Sequence, residues 1–359
     1  MSERAFSQNY GEARARFVDA ALQIDAQLLS YPVKATNADD LTIDVAIIGS
    51  PTAPTLVTSS GVHGVEGFLG SAIQLTLLQR YRQSNAGADV RHVLIHAVNP
   101  FGFSRIRRCN EDNVDLNRNF VSNSTDFAGA PEDYDRLNHF LNPESPPSAQ
   151  AAFYLKALAL RCRYGHSRIK QAIARGQYNY PRGIFFGGRS TCRSTEILQT
   201  NCDAWIGESQ NVVHLDWHSG LGRWGCCTLL LSAAVDSPWC TWTRQTFGNT
   251  PVESLHHSGG IAYAISGDLG TWMQRHFQPR EYRFVGAEFG TYNSLRVLRA
   301  LRAENQVHHY CNPDSPWYQS AKSEFLECFA PASKQWRRRV VDSGLQLIAQ
   351  AEQALRQQR

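Results

Sequence analysis

The sequence predicts a layered α/β fold with a mixed, mostly parallel central sheet flanked by helices. Three observations predict it. Short runs rich in Val and Ile alternate with stretches of helical periodicity, no internal repeat or low-complexity tract interrupts the 359 residues, and the polar residues able to do chemistry sit where apolar runs end.

Taken in order, residues 3–29 place Phe17, Ala20, Ala21, Ile24 and Leu28 at helical spacing, which predicts an amphipathic N-terminal helix. Residues 41–48 alternate and are rich in Ile and Val, and so read as a strand. A strand at 55–59 ends in Gly61-Val-His-Gly-Val-Glu-Gly67, and helical periodicity follows over 68–81. Further strands are expected at 90–98, stopped by Asn99-Pro100, and at 212–217, stopped by Ser219-Gly220 just after His218. Two more lie at 227–231 and 283–287, the last closing on Glu288. Helices are expected at 149–163, 194–208, 268–277 and 294–309, with a C-terminal helical tail over 317–358. Residues 103–144 and 176–189 are rich in Asn, Asp, Gly and Pro and read as long structured loops over the sheet edge. Length allows one enzyme-sized domain or two smaller ones, and a single domain over 1–359 is the simplest account.

Composition excludes several function classes. A net charge of +4 from 36 basic and 32 acidic residues gives no electrostatic case for nucleic acid or an anionic membrane as partner. The run Arg337-Arg338-Arg339 reads as a solvated helix face. Nine cysteines, an odd number without a Cys-x-x-Cys spacing, argue against a disulfide framework or a thiolate zinc knuckle and for mostly buried thiols. The N-terminal residues are charged throughout and no stretch is apolar enough to span a bilayer, so a cytoplasmic setting is expected. No Gly-x-Ser-x-Gly elbow seats a serine nucleophile.

Four segments can carry chemistry. His63 and Glu66 stand three residues apart between a strand and a helix, where an imidazole and a carboxylate can converge on one cation; the alternative is an ordinary surface turn. The glycines there have the wrong spacing for a dinucleotide loop. His218, on a strand running into a glycine turn, is placed to supply a third ligand. His214 and Asp216 share its face, so these three form a rival site, although alternate side chains of a straight strand lie almost seven ångströms apart. Against that rival, Asp216 instead orients a ligating imidazole from behind and His214 is a satisfied structural histidine. The run from Arg105 to Phe120 is densely polar and suits a carboxylate-bearing substrate, or else hydrogen-bonds only to itself. Glu288 closes an apolar strand, where a carboxylate is costly unless it meets a pocket, a metal or a cation.

The order His-x-x-Glu, Asp-Leu-Asn-Arg-Asn-Phe, strand-end His, strand-end Glu resembles the zinc carboxypeptidase superfamily, over most of the chain up to Tyr292. The wording of HGVEGFLGSA, NEDNVDLNRNF, DWHSGLG and EFGTY is most similar to a mainly bacterial branch of unknown function related to the succinylglutamate desuccinylase and aspartoacylase deacylases. The resemblance implies a carboxypeptidase-like (phosphorylase/hydrolase-like) fold and one zinc ion held by His63, Glu66 and His218, with the fourth position open. It implies Asn117 and Arg118 as the grip on a substrate carboxylate, and Arg108 as the arginine that steadies the oxyanion, with Arg107 beside it as alternative or additional substrate contact. Glu288 takes the place of the general base. Tyr263 takes that of a mobile tyrosine, or is a buried aromatic on a strand. The expected activity is hydrolysis of an amide next to a free carboxylate, in a peptide or in an N-acyl amino acid. A non-catalytic zinc-binding module is the remaining alternative, and the histidine pairs at 256–257 and 308–309 receive no role.

Overall fold

Among the described residues an eight-stranded sheet runs through the middle of the protein, and the chain enters it in alternation with helices. The structure, a computed structural model, describes residues 2–33, 40–84, 89–121, 123–147, 151–255 and 267–357. Along the chain lie α1 (Tyr10–Leu22), β1 (Gln27–Pro32), β2 (Thr42–Ile48), β3 (Thr55–Ser60), α2 (Gly67–Ser84), β4 (Arg91–His96) and α3 (Pro100–Ser104). Then come α4 (Glu132–Leu141), α5 (Ala151–Tyr164), α6 (His166–Ala174), α7 (Arg193–Ile206), β5 (Asn211–Trp224), β6 (Cys227–Leu231), α8 (Pro238–Phe247) and β7 (Val252–Ser254). Last are α9 (Leu269–His276), β8 (Glu281–Gly290), α10 (Ser294–Tyr310), α11 (Pro316–Phe329) and α12 (Lys334–Gln357).

In space the strands run β1-β2-β4-β3-β5-β8-β6-β7. The central strands β4, β3, β5 and β8 are mutually parallel, whereas β1 with β2, β2 with β4, and β6 with β8 pair antiparallel. Period-two alternation sends Val213, Leu215 and Trp217 of β5 and Val285, Ala287 and Phe289 of β8 to one face, where they pack with apolar residues of α1, α2 and α12. The other face carries Val57, Val93, Ile95, Val212, Tyr282 and Phe284 against α7 and α9. His214, Asp216 and His218 continue along the side of β5 that Val212 begins. Each fully buried apolar side chain contributes about 1.5–3 kcal/mol relative to exposure, so both faces are strongly held. A third cluster joins α4, α10 and α11 around Tyr134, Leu137, Val297, Phe325 and Phe329.

Several elements differ from expectation for identifiable reasons. The N-terminal helix ends at Leu22 because Asp25, at φ 52°, closes it. The Asp25 amide donates to Leu22 O and the Ala26 amide to Ala21 O, a helix-ending turn that glycine usually supplies. Residues 27–32 are therefore the edge strand β1. Strand β5 does not stop at Ser219-Gly220; Gly220 and Gly222, at φ 130° and 105°, absorb a register irregularity and the ladder resumes at Trp224. The region read as a loop over 103–144 contains α4, whose buried Tyr134, Leu137 and Leu141 and acidic first turn were available as a helical signal. The C-terminal tail is two helices, α11 and α12, broken before Pro331. Of the basic run, Arg338 and Arg339 are exposed, while Arg337 is half-buried over the Phe6 ring. All nine cysteines are free thiols, six of them buried. Among the described residues no helix is long and apolar enough to cross a membrane.

The segment carrying Arg105 to Arg108 is anchored by a buried ion cluster. Glu304 of α10 accepts from Arg107 Nε at 2.9 Å and from Lys322 Nζ of α11 at 2.7 Å, and Lys322 also donates to the backbone oxygen of Arg105 at 2.8 Å. Burial opposes ionisation of Glu304, but the two cations hold its carboxyl down at about 2. Glu304→Gln leaves both cations buried without a counter-charge and is expected to destabilise the fold by about 3–5 kcal/mol in denaturant titration. A depressed carboxyl stabilises above its unfolded value and loses that contribution as pH falls through its folded one. Wild type should therefore lose more stability than Glu304→Gln between about pH 4.5 and 2.

Candidate metal centre and active site

Three parallel strands deliver the site at their carboxyl ends, where open α/β sheets collect ligands. Beyond the end of β3 the chain turns through Gly61, at φ 66°, into His63 and a short 3-10 helix Gly64–Glu66. That turn is fixed from behind: the Gly64 and Val65 amides donate to the backbone oxygens of Arg108 and Arg107 at 3.1 and 2.8 Å. A Cβ on Gly64 would lie 2.1 Å from the Gly102 carbonyl carbon, so only glycine permits this approach. On the neighbouring strands His218 of β5 and Glu288 of β8 are direct register partners.

His63, Glu66 and His218 converge. Each offers a ligand atom within 4.8 Å of the others, and all three residues are buried. His63 Nδ1 lies 3.0 Å from Glu66 Oε1, His218 Nδ1 lies 2.9 Å from Glu66 Oε2, and the two Nδ1 atoms face each other at 3.3 Å. For metal–nitrogen bonds of about 2.0–2.1 Å, the edge of a tetrahedron is about 3.3–3.4 Å. The spacing of the paired nitrogens therefore fits one zinc-sized ion, and a two-histidine, one-carboxylate set leaves one of four positions open. The far nitrogens fit as well. His218 Nε2 meets Asp216 Oδ2 at 2.6 Å and His63 Nε2 meets Asp115 Oδ1 at 3.3 Å, so each ring has a carboxylate to hold the tautomer a ligand needs. Arg108 Nη2 also approaches His63 Nε2, at 2.6 Å. Arginine only donates, so that contact and ligation through Nδ1 require different His63 tautomers, and Asp115 serves the ligating one.

Charge is concentrated here. Burial opposes ionisation of Glu66, yet His63 and His218 hold its carboxyl at about 2. Burial likewise opposes ionisation of Asp115, and Arg108 and Arg118 hold it well below the usual carboxylate range. Burial pushes Glu288 up to about 8, with the Glu66 charge acting in the same direction and His218 against it. Glu288 Oε1 accepts from the Leu221 amide at 2.9 Å, which leaves its other oxygen for further contacts.

The remaining expected residues are placed as follows. Arg108 donates through Nε to Asp115 at 2.8 Å and lies 3.6 Å from Glu66, beside the histidine–carboxylate cradle. Arg107 points elsewhere, into the Glu304 cluster and to Asn113 Oδ1, and is not brought to the cradle. Asn117 accepts from the Leu269 amide at 3.0 Å, which orients its amide so that Nδ2 is the group presented. Arg118 is fully buried, donates to Asn117 O at 2.7 Å, and shares the Phe185 ring with Arg108 at 5.7 and 4.9 Å. Tyr263 and the pair His256-His257 lie outside the described residues. The trio His214, Asp216 and His218 does not form a cradle, since His214 turns to Ser59 and Tyr282. Sequence reading gave no separate role to Asp115, though it sits in the Asp-Leu-Asn-Arg run, and missed Ser59 and Phe185. Strand register fixes the first of these two, and a left-handed backbone at φ 57° the second, and neither is visible in residue order.

Titration with zinc is expected to show one tight site per chain, and His63→Ala and Glu66→Gln are each expected to abolish tight binding while circular dichroism shows an intact fold. A variant lacking either ligand that still binds at wild-type strength would rule out this cradle.

Comparison with known proteins places these features in context. No curated protein matches the sequence. Similar solved structures include carboxypeptidase A from Helicoverpa armigera, 13% identical with a TM-score of 0.48, covering 89% of this chain and 73% of that one. Bovine thrombin-activatable fibrinolysis inhibitor, solved with a tick carboxypeptidase inhibitor, is 10% identical with a TM-score of 0.47 and coverage of 96% and 98%. A Pseudomonas aeruginosa metallo-carboxypeptidase in complex with (2-guanidinoethylmercapto)succinic acid is 13% identical, with a TM-score of 0.43 and coverage of 94% and 68%. The sequence profile of DUF2817, a protein family of unknown function, matches residues 6–343, and the chain belongs to that family.

Proposed function

We propose that this protein is a zinc-dependent hydrolase that cleaves an amide bond next to a free carboxylate. The observation that carries the reading is the buried cradle of His63, Glu66 and His218, with Glu288 as the ladder partner of His218. A zinc ion bound there supplies Lewis acidity to a water and to the substrate carbonyl oxygen.

The chain's own residues then divide the work. Glu288 takes a proton from the attacking water and returns it to the leaving amine nitrogen. Burial raises its carboxyl, and a cation bound in the cradle would favour the ionised form that must take the first proton. Arg108 places positive charge beside the developing oxyanion, held in position by Asp115 and by the Phe185 ring. Asn117 Nδ2 and Arg118 grip the substrate carboxylate, which fixes the scissile amide over the cradle so that positioning supplies part of the rate. Asp216 and Asp115 hold the two imidazoles.

Peptides and N-acyl amino acids present the same terminal carboxylate, and Arg118 and Asn117 lie deep for either. The zinc-loaded protein should be assayed on C-terminally free peptides and N-acyl amino acids side by side. Turnover of either class, abolished by a chelator and restored by zinc, supports the hydrolase; turnover of neither, by a protein that holds zinc, supports a non-catalytic module instead.

Glu288→Gln is expected to bind zinc as wild type does and to lower turnover by about 10²- to 10⁴-fold, in rate assays with the same substrate. Comparable turnover would remove Glu288 from the mechanism. Arg118→Met removes a charged hydrogen bond to the carboxylate and is expected to lower kcat/KM by about 10- to 100-fold in the same assays.

A further inference from the structure

A line of buried polar groups runs away from the metal cradle on the side opposite Glu66. Asp216 Oδ2 meets His218 Nε2 at 2.6 Å, and its other oxygen accepts from Ser59 Oγ at 2.6 Å. Ser59 Oγ lies 2.7 Å from His214 Nε2, and His214 Nδ1 lies 2.8 Å from the Tyr282 hydroxyl. Ser59, His214 and Asp216 are fully buried and Tyr282 is 6% exposed. The four residues come from three adjacent strands. Ser59 is the register partner of Asp216, and Phe284 of β8 packs edge-on against the His214 ring at 4.6 Å.

Hydrogen-bond chemistry allows one direction of donation through this line. A carboxylate only accepts, so Ser59 spends its single proton on Asp216 Oδ1. Ser59 Oγ must then accept from His214 Nε2–H. Burial pushes the His214 imidazole down to about 4, so it is neutral and carries one ring proton. With that proton on Nε2, Nδ1 is a bare acceptor and Tyr282 is its donor. At the other end Asp216 Oδ2 accepts from His218 Nε2–H, so Nδ1, which faces Glu66 and His63, is the nitrogen left for an ion.

We propose that Ser59, His214 and Tyr282 are positioning residues for the metal centre, a directed hydrogen-bond line that orients Asp216 and thereby presents His218 to the ion through Nδ1. This rests on the metal centre proposed above and extends it three further residues beyond the carboxylate. Partners outside the ligand set commonly tune metal affinity by about 10- to 100-fold. Here a neutral histidine that no ion touches takes that role.

The test is zinc affinity, measured by competition with a chromophoric chelator, together with the visible spectrum of the cobalt-substituted protein. Ser59→Ala, His214→Phe and Tyr282→Phe are compared with wild type, and Ser59→Thr serves as the variant that keeps the hydroxyl. The expected result is zinc binding weakened by about 10- to 100-fold in Ser59→Ala and His214→Phe, a smaller loss in Tyr282→Phe, an altered cobalt spectrum in all three, and near-wild-type behaviour in Ser59→Thr. Should His214→Phe fail to fold, the Ser59 pair and Tyr282→Phe decide the matter. Folded Ser59→Ala and Tyr282→Phe proteins that hold zinc within about twofold of wild type, with an unchanged cobalt spectrum, overturn the line while leaving the metal centre standing. A wild type that binds no zinc overturns both.

Discussion

Four carboxylates are buried around two imidazoles, and the cost of keeping that much negative charge away from water is the constraint to which the rest of the site is fitted. Glu66 lies between His63 and His218, Asp115 and Asp216 stand behind the rings, and Glu288 sits one strand away. Arg108 and Arg118 offset part of the charge, and their hold on Asp115 shows in its strongly depressed carboxyl. A divalent cation among the three ligand atoms, as proposed, would supply the compensation that this arrangement of acids calls for. The same two arginines rest on one ring, Phe185, so charge balance and the proposed substrate grip share a support.

The sheet makes this concentration possible. Parallel pairing of β3, β5 and β8 brings three strand ends to one edge, and their register sets which side chains meet: Ser59 beside Asp216, His218 beside Glu288. The loop from Arg105 to Arg118 is then pinned from two directions. Glu304 and Lys322 hold its start, and the 3-10 turn at His63 hydrogen-bonds to its backbone. A displacement of that loop would carry Arg108, Asp115 and Asn117 away together, which explains why so much buried polar structure is committed to a segment with only a short 3-10 turn at Leu116–Arg118.

Much of this was legible in residue order. The alternation of Val- and Ile-rich runs with helical stretches marks β2 to β6 and β8 in outline but not the short β7, and the strand-end positions of His218 and Glu288 mark the candidate site. What residue order concealed has physical causes. Asp25 ends α1 in a left-handed conformation more typical of glycine, so the helix was read through into β1. Gly220 and Gly222 bend β5 without stopping it. Arg107 and Arg108 are neighbours of identical chemistry, and only the path of the backbone sends one to Glu304 and the other to His63. His214 read as a satisfied structural histidine. It is satisfied, but by Ser59 and Tyr282, residues 155 and 68 positions away in the chain.

The central claim is that one ion joins His63, Glu66 and His218. Anomalous diffraction at the zinc absorption edge, on crystals of protein purified with zinc, tests it most directly. The account predicts a single strong peak between the two Nδ1 atoms and the Glu66 carboxylate, within bonding distance of all three. No peak in that cradle, or a peak bound by His214 and Asp216 instead, would contradict it.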